Sequence, residues 1–437
     1  MLVLSYFGLL ASLVLLVALT MRGVNIIVAA VGCSVLVALC SQVPLREAML
    51  VDYMDGFTGF FTTWFPAILL GAIFGQLMDD SGAAKAIAGK SRQWFGEKRA
   101  VAAVVGAAAI LTYGGVSVFV VGFSVYPIAY ELFRGADLPH RFIPVAMVFG
   151  SISFTMTSPG SPEVQNLIPT EYFGTTPIAG GLIGIFSGLL ILVIGSLAIR
   201  RTIGRAVAAG ETFDPPAAAA ARAASTPADR PVPILAALAP MVVLVGSFNV
   251  FSFVFDIRAV EALLIAILIS LVLGFVLLNR RLAARIRTLG SGADNALVAT
   301  ANTCAVVGFG AVVSQTPAFD QIVDQLTSMP GLEYAGLAMA VTVIAGITGS
   351  ASGGLGIALP ILAPIYQGMG LDNGAMHRIS ALASGGLDSL PHNGYVVTTV
   401  RVICNETHQR AYPAIFMASV LVPSIVLAIA VVLYTIF

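Results

Sequence analysis

The sequence predicts an all-α, polytopic membrane protein made of two repeats with inverted topology. Three observations predict it. The first is composition. Of 437 residues, 58% are hydrophobic and 10% charged, and the mean hydropathy is +0.95. A soluble domain carries about a quarter charged residues. The second is an internal repeat. Adding 237 to the residue number carries Gly71 onto Gly308, Pro127-Ile128 onto Pro364-Ile365 and His140-Arg141 onto His377-Arg378, and keeps the hydrophobic blocks in phase. Repeats of this kind mark secondary transporters. The third is the distribution of positive charge, which collects on the cytoplasmic side of a membrane. With the N-terminus outside, only Arg46, Arg258 and Arg378 of the 22 Lys and Arg fall in outer segments. Lys85–Arg99 and NRRLAARIR (Asn279–Arg287) both fall inside only if the second half is inverted.

The first repeat is assigned to residues 1–203. Leu2–Thr20 and Asn25–Cys40 are apolar runs long enough, or nearly so, to span about 30 Å of hydrocarbon as helices. The first run lacks a basic region before it and a small-residue cleavage site after it, so a retained span is expected rather than a cleaved signal. A re-entrant hairpin is predicted at about 98–134, where the short arms Ala100–Leu111 and Val118–Phe133 flank TYGGVS. At 1.5 Å per residue neither arm of this pair has the length of a comfortable crossing. A helix over about 141–170 is broken by TSPGSPE, because proline and glycine interrupt the ladder of backbone bonds. Ile178–Ile199 closes the repeat. Residues 204–233, rich in Ala and Pro, read as a cytoplasmic linker.

The second repeat, 234–437, follows the same order. Its hairpin is predicted at about 334–368 around TGSASGG, and its broken helix at about 378–402 around LDSLPHNG. Met417–Ile436 is the last span. Each half then has five crossings and one hairpin. Five is odd, so the halves are inverted and both termini are periplasmic.

Irregular backbone at membrane depth is tolerated only where it lines a polar cavity. Half-helix N-termini there favour an anion, and free carbonyls favour a cation. Two hairpin tips and two breaks meeting near the midplane would form one site for a small carboxylate and a coupling ion. Its expected substrate-binding residues are Gly114, Gly115 and Ser117 at the first tip, and Ser158, Gly160, Ser161 and Asn166 at the first break. The second tip contributes Ser350, Ser352, Gly353 and Gly354, and the second break Ser389 and Asn393. Two acids, Glu163 and Asp388, fall at membrane depth, with His392 four residues beyond Asp388. Ionisable groups there are expensive unless functional, so these three are assigned to ion coupling. The remaining acids, Glu406 among them, are placed in loops or at helix ends. His140 and His377 are expected to be structural, and His408 solvated. Asn302 and Thr303 either bond neighbouring helices or form a second layer of the site.

Several function classes find no support. Net charge is zero, so no nucleic-acid partner is indicated. No His/Cys/Asp cluster has metal spacing, and neither GxSxG, HExxH nor a P-loop occurs, so neither an enzyme nor a primary pump is expected and no metal or cofactor is implied. The four cysteines, Cys33, Cys40, Cys304 and Cys404, have no pairing pattern. Inverted broken helices around one central site favour alternating access over a channel, and proton and sodium coupling are both open.

The stretches TYGGVSVFVVGFSVYPIA, FTMTSPGSPEVQNLIPTEYFGTT, GSASGGLGIALPILAPIY and HRISALASGGLDSLPHNG resemble the GntP family, the gluconate permeases and their relatives. The resemblance extends over essentially the whole chain. Where gluconate-type members carry an HGFLPPHPGPT-like stretch, this chain has SFTMTSPGSPEVQN, which is more similar to the hydroxybutyrate-permease branch. The resemblance implies proton-coupled uptake of a small hydroxy-acid anion, 3-hydroxybutyrate or gluconate-like. It also implies an inner-membrane homodimer with an elevator-type scaffold and a moving transport unit.

Overall fold

The computed structural model describes residues 2–22, 24–95, 99–116, 118–224, 232–255, 257–282, 284–327 and 331–437. Ser117 and linker residues 225–231 lie outside these. The described chain is all helical. Apolar runs become α1 (Leu2–Met21), α2 (Ile26–Ser41) and α3 (Leu45–Asp80). The short α4 (Ala83–Phe95) carries Lys85 and Lys90 and mixes polar with apolar residues. The arms α5 (Ala100–Tyr113) and α6 (Val118–Gly135) follow. Helix α7 (140–153) ends in a π-helical turn, the chain then loses helical form, and α8 (Val164–Phe173) resumes it. The long α9 (Gly181–Ala208) and the linker helix α10 (Ala217–Ala224) complete the first half.

The order then recurs. Helices α11 (Ile234–Phe253), α12 (Ala259–Arg281), α13 (Arg285–Val313) and the short α14 (Pro317–Thr327) are followed by the arms α15 (Glu333–Thr348) and α16 (Ala351–Gly368). Then come α17 (Asn373–Ser384), a second break, α18 (Gly394–Ile403) and α19 (His408–Ile436). Every helix of the first half except α10 thus has a counterpart ten places on. Seven described helices are long and apolar enough to cross a membrane; α2, α5, α15 and α18 are shorter.

The packing is reciprocal. Helix α1 packs on α2 and α14, and α11 on α12 and α4. Helix α2 packs on α13, and α12 on α3. Likewise α8 packs on α16 and α17, and α18 on α6 and α7. At the centre α3 crosses α13 at small residues. A Cβ on Gly308 would fall 2.8 Å from the Tyr53 carbonyl oxygen, and one on Gly292 would fall 2.7 Å from Ile73 Cα. Such close backbone approach is how helices associate where apolar burial gives no net drive.

Three sequence placements change. Arg378 is not in an outer loop but fully buried midway along α17, and Glu406 is buried rather than solvated. His408 is 8% exposed, where solvation was expected. Asp79 lies at the end of α3, where a helix end was expected, and also lines the cavity described below. A positional rule cannot see which way a side chain turns.

Candidate functional site

Four helix N-termini converge on one cavity of about 700 Å³. Gly115 and Val118 bring the start of α6, Glu163 and Val164 the start of α8, Ser350–Ser352 the start of α16, and Asn393–Tyr395 the start of α18. The first N–H groups of a helix have no partner within it, and its dipole adds partial positive charge. Among the described residues, no Lys or Arg lines it. The favourable field for an anion therefore comes from backbone.

The two ends in the second half are tightly made. Ser350 Oγ accepts from Gly353 N–H at 3.2 Å, and Thr348 Oγ donates to the Ser350 carbonyl at 3.0 Å. Asn393 caps α18, its Oδ1 accepting from Val396 N–H at 2.9 Å, while its Nδ2 donates to the Gly349 carbonyl at 3.2 Å. One side chain thereby ties break to hairpin. Gly349 is left-handed (φ 58°), and the His392 ring lies so close that a Cβ would come within 2.3 Å of it. His392 is 3% exposed and lines the cavity, its ring beside the Gly346 and Ile347 backbone. Asp388, also lining, accepts from Ser389 Oγ at 2.8 Å. Tyr395 OH donates to Ser151 Oγ at 3.0 Å, joining the two halves at the cavity wall.

The first break is built differently. Most of its polar groups are spent on its own backbone. Asn166 is fully buried, and its Nδ2 donates to the Ser161 and Pro177 carbonyls at 2.8 and 2.9 Å. Its Oδ1 can only accept, so His377 Nε2 donates to it (3.2 Å), and His377 Nδ1 takes the Thr175 hydroxyl at 2.7 Å. Ser161 Oγ accepts from Glu163 N–H. Ser158 Oγ donates to the Phe154 carbonyl and abuts Gly188. Gly160 (φ 77°) sits under Asn249, whose Nδ2 donates to its carbonyl at 3.1 Å, and Tyr113 OH donates to the Pro159 carbonyl at 2.8 Å.

Of the residues expected at the site, Gly115, Ser350, Ser352, Asn393, Asp388, His392, Glu163, Asn302 and Thr303 share the cavity wall. Gly114 packs on Met241 instead, and Gly353 and Gly354 lie behind the wall, Gly354 against Ala345. Ser158, Gly160, Ser161, Asn166 and Ser389 also stand off it. The wall adds residues the sequence did not single out, chiefly Ser151, Tyr395, Gln76, Asp79 and Asn295. The last three mark a polar mouth. Asn295 Nδ2 donates to Gln76 Oε1 at 3.1 Å, and Ser124 Oγ donates to Asp79 at 2.6 Å. The cavity thus runs from the four helix starts toward the end of α3 and the beginning of α13.

Comparison with known proteins agrees with this architecture. The model of the GntP family permeases matches residues 2–389. The chain is 32% identical over 449 residues to the uncharacterized transporter YxjC of Bacillus subtilis (strain 168), spanning 93% of this chain and 94% of that one. It is 31% identical over 155 residues to an uncharacterized transporter of Haemophilus influenzae, 36% of each chain. Among solved structures, the Alcanivorax borkumensis YdaH transporter superposes with a TM-score of 0.52 at 16% identity, over 89% of this chain and 87% of that one. Neisseria gonorrhoeae MtrF, described with a class of antimetabolite efflux pumps, gives 0.51 at 13%, over 92% and 85%. At such identities these two structures speak to the fold alone.

Proposed function

The chain belongs to the GntP permease family, and we propose that it is a secondary carrier that imports a small hydroxy-monocarboxylate, 3-hydroxybutyrate or gluconate-like, together with a proton. The observation that carries this is the meeting of four helix N-termini in one cavity, with no Lys or Arg among the described residues of its wall. Such a cavity suits one small anion.

Two features favour a proton as the partner. Glu163 and Asp388 face the same space that the anion would enter. Like charges about 6 Å apart repel by roughly 3 kcal/mol at an effective dielectric of 20, so anion and ionised carboxylates disfavour one another. A proton held by Asp388 and His392 removes that repulsion and travels with the substrate. Ser350, Ser352 and Asn393 at the wall would orient the substrate, and Asn302 and Thr303 line the same cavity.

The reciprocal packing supports halves related by a two-fold axis, and the distribution of Lys and Arg supports their inversion in an inner membrane. On that placement the end of α3 and the start of α13 are cytoplasmic, and the cavity is open inward. Alternating access then needs the hairpins and broken helices to move against α1–α3 and α11–α13, in a homodimer held by the latter.

Reconstituted protein tests the proposal. Liposomes with an imposed pH gradient should accumulate a short hydroxy acid, and those with a sodium gradient alone should not. Asp388→Asn and His392→Ala should abolish gradient-driven accumulation while substrate counterflow continues. Wild-type accumulation in both variants, or a strict sodium requirement, would overturn the assignment of the coupling site.

A further inference from the structure

The largest fully buried side chain is a cation that faces no acid. Arg378 is 0% exposed, and no carboxylate among the described residues lies within ion-pair distance of it. Its guanidinium is satisfied by carbonyls alone. Nη1 donates to Thr157, Nη2 to Pro177 (3.2 Å) and Ala179 (2.8 Å), and Nε to Ala179 (3.1 Å). All three acceptors belong to the other half of the chain, and they bracket the first break together with α8. The room is prepared: a Cβ on Gly180 would fall 2.4 Å from Arg378 Cβ, and one on Gly184 would fall 3.0 Å from its Nε.

Carbonyls released where a helix breaks need donors. A guanidinium offers five N–H groups in a rigid fork and can reach acceptors on two sides at once; an ammonium presents its donors at one point. We propose that Arg378 is a positioning residue for the substrate site: from the second repeat it clamps residues 157–179 of the first, so that the start of α8 at Glu163 and Val164 faces the cavity. The affinity contributed by one repeat is thereby set by a side chain of the other. The proposal rests on the cavity being the substrate site, and its test separates the two.

Full-length protein carrying Arg378→Lys keeps the charge and loses the fork. Deuterium exchange across 157–179 should rise several-fold, while 387–394 stays as in the wild type. In counterflow assays with the hydroxy acid the wild type transports, KM should rise about tenfold with Vmax changed by less than about threefold, the pattern of weakened binding. Gly184→Ala, which presses on the guanidinium and on Pro159 without altering the charge, should shift both readouts in the same direction and serves if the lysine variant does not fold. Asn393→Ala is the control at the other break and should raise KM on its own. If Asn393→Ala raises KM while Arg378→Lys and Gly184→Ala leave it unchanged, the site stands and the role of Arg378 is refuted. Unchanged exchange across 157–179 refutes it directly. If none of the three variants alters KM, the cavity itself is not the substrate site, and the proposal falls with it.

Discussion

His140–Arg141 and His377–Arg378 occupy the same place in the two halves, yet their partners are of opposite kinds. His140 Nδ1 meets the Glu406 carboxylate at 2.9 Å with both side chains at most 1% exposed, and its Nε2 lies 3.1 Å from Tyr126 OH. Arg141 grips Glu211 with two bonds of 2.7 and 2.8 Å. Among the described residues the second pair touches no acid; its contacts are an asparagine, a threonine and three carbonyls. The same dipeptide is thus used once to fasten connecting segments to carboxylates and once to cap a broken helix. What decides the use is the surroundings. Arg141 keeps 23% of its side chain exposed beside the linker, where a carboxylate can wait in water. Arg378 is sealed against broken backbone, where only dipoles are at hand.

Removing each charge should expose that difference. Arg378→Met strands the buried Thr157 and Ala179 carbonyls, while Pro177 keeps its bonds from Asn166 and Gly160; at about 1–3 kcal/mol for each unpaired group, a loss of about 2 kcal/mol or more is expected in thermal or denaturant unfolding. Arg141→Met should lose at most about 1 kcal/mol, as partly exposed pairs do. Equal losses would mean that the two sites do the same work.

Glu406→Gln sharpens the comparison within the first pair. The amide can still accept from His140, but the bond is no longer charge-assisted. A loss of about 1 kcal/mol is expected, smaller than that of Arg378→Met. Melting curves of the purified variants decide it.

The smallest effect concerns pH. The Arg141 hydrogen bond holds the Glu211 carboxyl below its ordinary value of 4.5. A depressed acid stabilises the folded state fully above its unfolded value and loses that contribution as pH falls through the folded one. The pair is partly exposed, so less than about 1 kcal/mol is at stake. Below about pH 4.5 the wild type should lose its advantage over Glu211→Gln, while at neutral pH it should be slightly more stable. A difference that does not depend on pH would remove Glu211 from the account.

Much of the architecture is legible in the sequence because hydrophobic length and helix-breaking residues act locally. The arms about TYGGVS and TGSASGG, and the breaks at TSPGSPE and LDSLPHNG, all fall where the helices stop. The site is legible only in part. Ser161, Asn166, Ser350 and Asn393 are the same residue types in similar settings, yet the first two cap backbone away from the cavity while the last two stand on its wall. A side chain that caps a helix and one that greets a ligand need the same chemistry. Arg378 was hidden for another reason. Its partners lie about 200 residues away in sequence, and no local pattern foretells them.

The clamp across the break also has a schedule. Thr157 and Arg378 are separated by 221 positions. At synthesis rates of about 5–20 residues per second, the break is made roughly 10–45 s before the guanidinium that caps it. During that interval the first repeat sits in the bilayer with open carbonyls and, lacking α16 and α17, with no surface to receive α8. Until the guanidinium arrives, the Thr157 and Ala179 carbonyls need donors from outside the chain, such as water. A chain cut short before Arg378 would leave those two carbonyls without the donor that the whole chain gives them.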